Sequence, residues 1–323
     1  MTAMKVGDGI FSVTVPTPFA VGPVNIYIVV KENRMMLGDA GANTDEAWEV
    51  LQRALRDLNK RPEDVDVIVL THHHPDHTGL VDRFPEATPV CGHPRLEPWL
   101  TKDRAFKERY DRYFRDLAVR LGIPSAFLDR MPKLDHYLRY GGRRALTNKL
   151  DDGDVVPGFE EWKVRYAPGH AQSHITLLRD DGVLIGGDVL LEHISSNAIV
   201  EPPYNDSEPA PHTLLQYRST LKKCADWPIR TVLPGHGQAF AFDGRLIAQK
   251  LSEQKERRNR IYELIKSGKR TVLEISIALF PDAWKKQLDL VLSEVIGHLD
   301  WLKSDGLITV NVANGVELYE PAK

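Results

Sequence analysis

An α/β layered fold is predicted by three features of the 323-residue chain. Strand-like runs alternate with helical periodicity through the first half, "VDVIVL" is the near-continuous apolar run of a strand covered on both faces, and three further strand-like runs follow after residue 160. A composition of 42% hydrophobic and 27% charged residues is that of a globular protein.

Taken in order, "IFSVTVP" and "VNIYIVV" are β-rich runs separated by a Pro/Gly turn, and "MMLGDAG" reads as a third strand ending in a turn. Asn43 and Thr44 are helix-capping residues, and Ala47, Val50, Leu51, Ala54, Leu55 and Leu58 recur at helical spacing, which predicts an amphipathic helix over 45–59. After "VDVIVL" come "WKVRYAPGH", "ITLLRDDGVLIGGD" and "IRTVLPGHG", the middle one a hairpin turning at Asp180 to Gly182.

Two regions break this rhythm. Residues 94–149 form a long Arg- and Tyr-rich helical insertion, expected to serve as a lid or pocket wall of a domain spanning 1–244. From 245 to 323 the pattern becomes three helices and a hairpin turning at Asn314-Gly315, the order of a small winged-helix domain.

The chemistry is concentrated in "THHHPDHTG". His72 and His74 are two apart in a segment leaving a strand, so their rings share a side while His73 points away. Asp76 and His77 follow Pro75 at the start of a helix. Two imidazoles, a carboxylate and a third imidazole so close together in one segment cannot all serve one tetrahedral ion comfortably, so the spacing favours two metals. His170, Asp188 and His236 each follow an apolar strand beside a glycine. One such residue alone is an ordinary loop residue; four strand ends together describe a site.

These residues resemble the H-x-H-x-D-H signature of the metallo-beta-lactamase superfamily, and the resemblance spans roughly Val6 to Phe242. It implies a four-layer αββα sandwich. It also implies that His72, His74 and His170 hold one metal, that Asp76, His77 and His236 hold the second, and that Asp188 bridges both. True β-lactamases of the family usually place a cysteine where Asp188 stands, whereas glyoxalase II-like thioesterases, lactonases and nucleases carry aspartate. The core followed by a winged helix is similar to the group of the mitochondrial beta-lactamase-like endoribonuclease.

The expected reaction is hydrolysis by a hydroxide bridging two divalent cations, zinc first, with iron or manganese compatible with the same ligands. Asp76 and Asp188 are the catalytic carboxylates, and His174 and His193 are candidates to orient a ligand or touch substrate. His93, His136, His212 and His298 are expected to be structural or exposed.

For the substrate, a small thioester or ester is the leading expectation. A single-strand endoribonuclease is the alternative, with the insertion's arginines (Arg109, Arg112, Arg115, Arg120, Arg130, Arg139, Arg143, Arg144) guiding the strand beside Tyr110, Tyr113, Phe114, Phe127, Tyr137 and Tyr140. A nucleic-acid-binding regulator comes third. The net charge of −3 disfavours nucleic acid and membrane as partners. Residues 245–323 carry 13 Lys+Arg against 11 Asp+Glu, only +2, which suits a packing or homo-oligomerisation module better than a nucleic-acid grip. Most of the arginines are expected to pair with acidic neighbours such as Asp103, Glu108, Asp111 and Asp116. Two cysteines and the absence of a signal-peptide pattern predict a cytoplasmic protein.

Overall fold

The computed structural model describes residues 3–124 and 134–322, so Phe127 and Arg130 lie outside the described residues. The chain divides into two compact units, Met1–Asp103 with Lys133–Ser196 and Asp226–Asp243, and Arg104–Pro132 with Asn197–Ala225 and Gly244–Lys323.

The first unit holds two sheets. One is ordered β1 (Met4–Gly7), β2 (Ile10–Val15), β3 (Val24–Lys31), β4 (Arg34–Gly38), β5 (Val67–Val69), β6 (Val90–Gly92) and β7 (Asn148–Lys149), antiparallel up to β4 and parallel from there on. The other contains β8 (Val155–Val156), β9 (Phe159–Tyr166), β10 (Ile175–Arg179), β11 (Val183–Gly187), β12 (Thr231–Pro234) and β13 (Phe240–Ala241), with only β11 and β12 parallel.

Period-two alternation explains why the central strands are apolar throughout. On β3, Val24, Ile26 and Ile28 enter one apolar cluster while Tyr27 and Val29 enter another; on β5, Ile68 joins the first and Val67 and Val69 the second. The first cluster is closed by helix α1 (Asp45–Asp57), whose Ala47, Leu51, Ala54 and Leu55 are fully buried. Thr44 caps that helix by accepting from Ala47 N at 3.2 Å. The second cluster lies between the sheets, where Met36 and Val69 meet Trp162, Leu177, Ile185 and Leu233. Each aliphatic side chain fully buried there contributes about 1.5–3 kcal/mol.

Short helices α2 (Pro75–Thr78) and α3 (Glu97–Leu100) follow β5 and β6. Helix α4 (Arg104–Arg120) belongs to the second unit, α5 (Leu134–Leu138) to the first, and α6 (Thr213–Asp226) runs from the second unit to its last residue at the first's boundary.

The second unit is completed by α7 (Arg245–Lys266), α8 (Val272–Leu279), α9 (Leu288–Ser304) and the hairpin β14 (Ile308–Ala313) and β15 (Val316–Pro321). The last segment of the second unit begins at Gly244, beside the expected boundary, but Arg104–Pro132 and Asn197–Ala225 join it. The physical reason is that Leu117, Ala118 and Leu121 of the insertion and Val200 share one apolar cluster with Ile261, Ile265, Val295 and Leu299. The apolar stripe of α4 is therefore core, and much of the insertion is not simply a lid.

Among the described residues Arg104 Nε pairs with Glu108 Oε1 at 2.8 Å, as expected of the insertion's arginines. Others depart from that expectation: Arg109 donates to Tyr204 O at 2.7 Å, Arg120 pairs with Glu317 at 2.9 Å, and Arg144 fans onto backbone carbonyls between Val81 and Thr88. Among the described residues no helix is long and apolar enough to cross a membrane.

Candidate metal centre

Strand direction collects the ligand-type residues. β4 and β5 run parallel, as do β11 and β12, and β9 runs the same way as β11 because β10 is antiparallel to both. The segments leaving their carboxyl ends carry Asp39, His72, Asp188, His236 and His170, respectively. All are buried.

Two groups result. His72, His74, His170 and Asp188 offer ligand atoms within 4.8 Å of one another, and so do Asp76, His77 and His236. In the first, His72 Nε2 lies 2.9 Å from His74 Nδ1, which lies 3.1 Å from His170 Nε2. In the second, His236 Nε2 is 3.4 Å and His77 Nε2 3.9 Å from Asp76 Oδ2. Asp188 reaches both groups: Oδ2 is 3.5 Å from His170 Nε2 and 3.5 Å from His236 Nε2, and Oδ1 is 3.5 Å from His77 Nε2.

The outer nitrogens of three rings are already committed. Asp39 Oδ1 accepts from Thr71 N at 2.7 Å and Oδ2 from Thr71 Oγ1 at 2.9 Å. Because the Thr71 hydroxyl proton points to Asp39, its oxygen accepts from His72 Nδ1 at 2.9 Å. Asp39 Oδ2 also accepts from His77 Nδ1 at 2.8 Å, and Pro23 O accepts from His236 Nδ1 at 2.7 Å. In each neutral ring this arrangement puts the lone pair on Nε2, the atom turned to the group.

A cation fits both groups on the structure's own terms. His77 Nε2, His236 Nε2 and Asp188 Oδ1 are buried without a hydrogen-bond partner, a costly state for three polar atoms aimed at one place. Tetrahedral coordination with bonds of about 2.0–2.1 Å separates ligand atoms by about 3.3 Å, close to the spacings seen here. Small residues make the room. A Cβ on Gly235 would run into the Asp188 carboxylate and the His77 ring, and one on Gly187, at φ +48°, would crowd His174 and Thr71.

Electrostatics divide the groups. Burial, with help from neighbouring imidazoles, holds His72 and His74 well below the ordinary histidine pKa, keeping them neutral with lone pairs available. Burial opposes charge on His77 as well, but Asp188, Asp76 and Asp39 outweigh it and hold that ring above its ordinary value. Asp188 is held below the usual carboxylate range; burial acts against this, and His77 and His236 overcome it.

His73 faces away, as the alternation predicts. Its ring stacks on Trp99 at 3.8 Å and 10°, and its Nδ1 lies 2.9 Å from Ser173 Oγ. His174 lies behind the centre. It stacks on His72 at 4.7 Å and its Nε2 accepts from Asp188 N at 3.1 Å, so it positions the Asp188 backbone. His193 lies at the surface, its side chain 85% exposed and its Nε2 3.2 Å from Glu192 Oε2. Five residues past Asp188 the chain has left the buried strand ends for the surface. Of the other histidines, His93 stacks on Tyr166, His212 pairs with Asp300, and His298 is buried between Glu294 O and Gln254 O.

Sequence reasoning missed Asp39, read only as a turn residue in "MMLGDAG". Its φ of +63°, uncommon outside glycine, would have been the signal, and a sequence does not display it.

A profile of the metallo-beta-lactamase superfamily matches residues 20–236. The chain is 36% identical over 304 residues to the probable metallo-hydrolase YqjP of Bacillus subtilis, covering 94% of each. It is 31% identical over 147 residues to the N-acyl homoserine lactonase AttM of Rhizobium radiobacter, a match spanning 44% of this chain and 48% of that protein. Among solved structures, a metallo-beta-lactamase family protein of Thermus thermophilus superposes with a TM-score of 0.82 at 26% identity, covering 98% of this chain and 100% of that one.

Proposed function

The chain belongs to the metallo-beta-lactamase superfamily, and on that premise we propose that it is a dinuclear metal-dependent hydrolase of small thioesters or esters, glyoxalase II-like or lactonase-like. The observation that carries the reading is Asp188, whose two oxygens stand 3.5 Å from nitrogens of both histidine groups. One carboxylate within reach of both is what a pair of cations sharing a ligand needs.

Two divalent cations, zinc in the first instance, supply activation of water near neutral pH and polarisation of the carbonyl under attack. The residues of this chain do the rest. His72, His74 and His170 would hold one cation, His72 and His74 with neutral nitrogens; Asp76, His77 and His236 would hold the other; Asp76 and Asp188 would bring negative charge to balance both. Thr71 and Asp39 orient the His72 and His77 rings, and burial of all seven ligand-type residues limits the access of water to them.

Asp188, where β-lactamases of the family usually place cysteine, supports an ester or thioester over a β-lactam. The partial match to a protein named as a lactonase supports a carboxylic ester carbonyl. Three helices followed by an antiparallel hairpin support reading residues 245–323 as winged-helix in type, a packing or dimerisation module. Two free, buried cysteines support a reducing, cytoplasmic setting.

The test is a panel of thioesters, lactones, phosphodiesters and single-stranded RNA, run with metal content measured on the same sample. Ester or thioester turnover lost on chelation, regained on adding zinc, iron or manganese, and absent in Asp188→Ala is expected. Undiminished turnover after complete metal removal, or cleavage of RNA alone, overturns the reading.

A further inference from the structure

The first residues of β3 clamp the turn that carries His236. Asn25 Nδ2 donates to Pro234 O at 3.0 Å and to Gly237 O at 2.7 Å, and Asn25 N donates to Gly235 O at 2.8 Å. Tyr27 Oη donates to the same Pro234 O at 2.7 Å. Thr14 Oγ1 donates to Asn25 Oδ1 at 2.8 Å. With a hydroxyl on one side and two carbonyls on the other, only one orientation of the amide satisfies every contact, with the NH2 group toward the turn.

The turn needs such external support. His236 stands between Gly235 and Gly237, so its own backbone does little to restrain the ring. The carbonyls on both sides of it, at Pro234, Gly235 and Gly237, are taken by Asn25 and Tyr27, and the ring by Pro23 O. None of these bonds goes to His72, His74 or His170.

We propose that Asn25 is a positioning residue for His236: its two side-chain N–H bonds set how tightly the Asp76–His77–His236 group holds a cation, while the His72–His74–His170 group binds independently of them. This rests on the two-cation reading above. Displacing the turn moves one nitrogen of the second group and none of the first, so the effect is confined to one of two binding events.

The experiment titrates the chelator-stripped full chain with Zn2+ by calorimetry and with Co2+ by visible absorption, alongside thermal unfolding. Asn25→Asp keeps the size and the acceptor for Thr14 but removes both N–H donors. It is expected to bind the first equivalent as tightly as wild type and the second about 10- to 100-fold more weakly, with an altered Co2+ spectrum for the second equivalent only. His236→Ala, the reference for a lost ligand, abolishes the second event. Should Asn25→Asp fail to fold, Tyr27→Phe removes one donor to Pro234 O without a change of shape and weakens the second event by about 3- to 10-fold.

Unchanged second-ion affinity overturns the proposal. Equal weakening of both events together with a lower unfolding temperature also overturns it, because that is what a merely structural role would give. Wild-type protein that takes up only one equivalent refutes the two-cation reading, and the proposal with it, and that failure is recognised before any variant is made.

Discussion

Asp39 Oδ2 accepts a hydrogen bond from His77 Nδ1 at 2.8 Å, and the same oxygen holds the Thr71 hydroxyl that orients His72. One carboxylate thus steadies a ring in each histidine group. Asn in its place keeps the size and tolerates φ +63°. Its NH2 group, however, faces an N–H of either Thr71 or His77. With the amide oxygen kept toward Thr71 N, His77 is forced into the tautomer that carries its proton on Nε2, the atom needed for a cation. Asp39→Asn is expected to fold and to lose about 10- to 100-fold in metal affinity, read by competition with a chromophoric chelator. Wild-type affinity would refute the positioning role.

Gly235→Ala tests how closely backbone approaches the centre. The added methyl overlaps the Asp188 carboxylate and the His77 ring, and both are buried and cannot swing away cheaply. Turnover is expected to fall at least about 10-fold, with stability down by about 1–3 kcal/mol. Near-normal activity would show that the strand ends yield more than their packing suggests.

His93 gives a pH dependence whose sign can be stated in advance. Burial pushes its pKa down to about 4, below the unfolded value of about 6.5. The folded protein therefore refuses a proton that the unfolded chain accepts. Stability is complete above pH 6.5 and is lost as pH falls from there toward 4, by at most about 3 kcal/mol. His93 Nδ1 also accepts from Arg95 N at 3.2 Å, a capping bond that asparagine can make. His93→Asn should retain the cap and flatten the stability curve over that window. Parallel curves for variant and wild type would contradict the assignment.

Arg144 holds the stretch that follows α2. Its Nη1 donates to Val81 O at 3.1 Å and Pro85 O at 3.0 Å, and its Nη2 to Glu86 O at 2.7 Å and Thr88 O. A planar fork reaches these spread acceptors; an ammonium does not. Arg144→Lys is expected to cost about 1–3 kcal/mol in urea unfolding with the m-value unchanged. A loss below the error of the measurement would mean that water replaces the fork at no cost.

The parts of this molecule legible in its sequence are those written in local pattern. "VDVIVL" is apolar because β5 feeds two cores with alternate residues, and His72, His74, His170, Asp188 and His236 were found because ligand-type residues directly follow strands. Asp39, Thr71 and Asn25 were missed because a polar residue at a strand end has no distinguishing type. What distinguishes them is a partner 32 positions away for Asp39 and Thr71, and 209 for Asn25 and Pro234. The segments that join residues 244–323 in one unit were not legible, because a change of periodicity marks where a helix pattern starts and says nothing of which distant stripe, here Leu117 and Leu121, will share its core.

That shared core bears on how the chain can be cut. The backbone passes from one compact unit to the other at five places along its length, so no single scission yields two self-sufficient pieces. A fragment beginning at residue 245 would leave behind Leu117, Leu121, Ile123 and Val200, and Val295, Leu299 and Ile261 would face water in their place. The C-terminal segment is thus an organ of the whole polypeptide and not a detachable cassette, and moving it onto another protein would mean grafting α4 and residues 197–225 along with it.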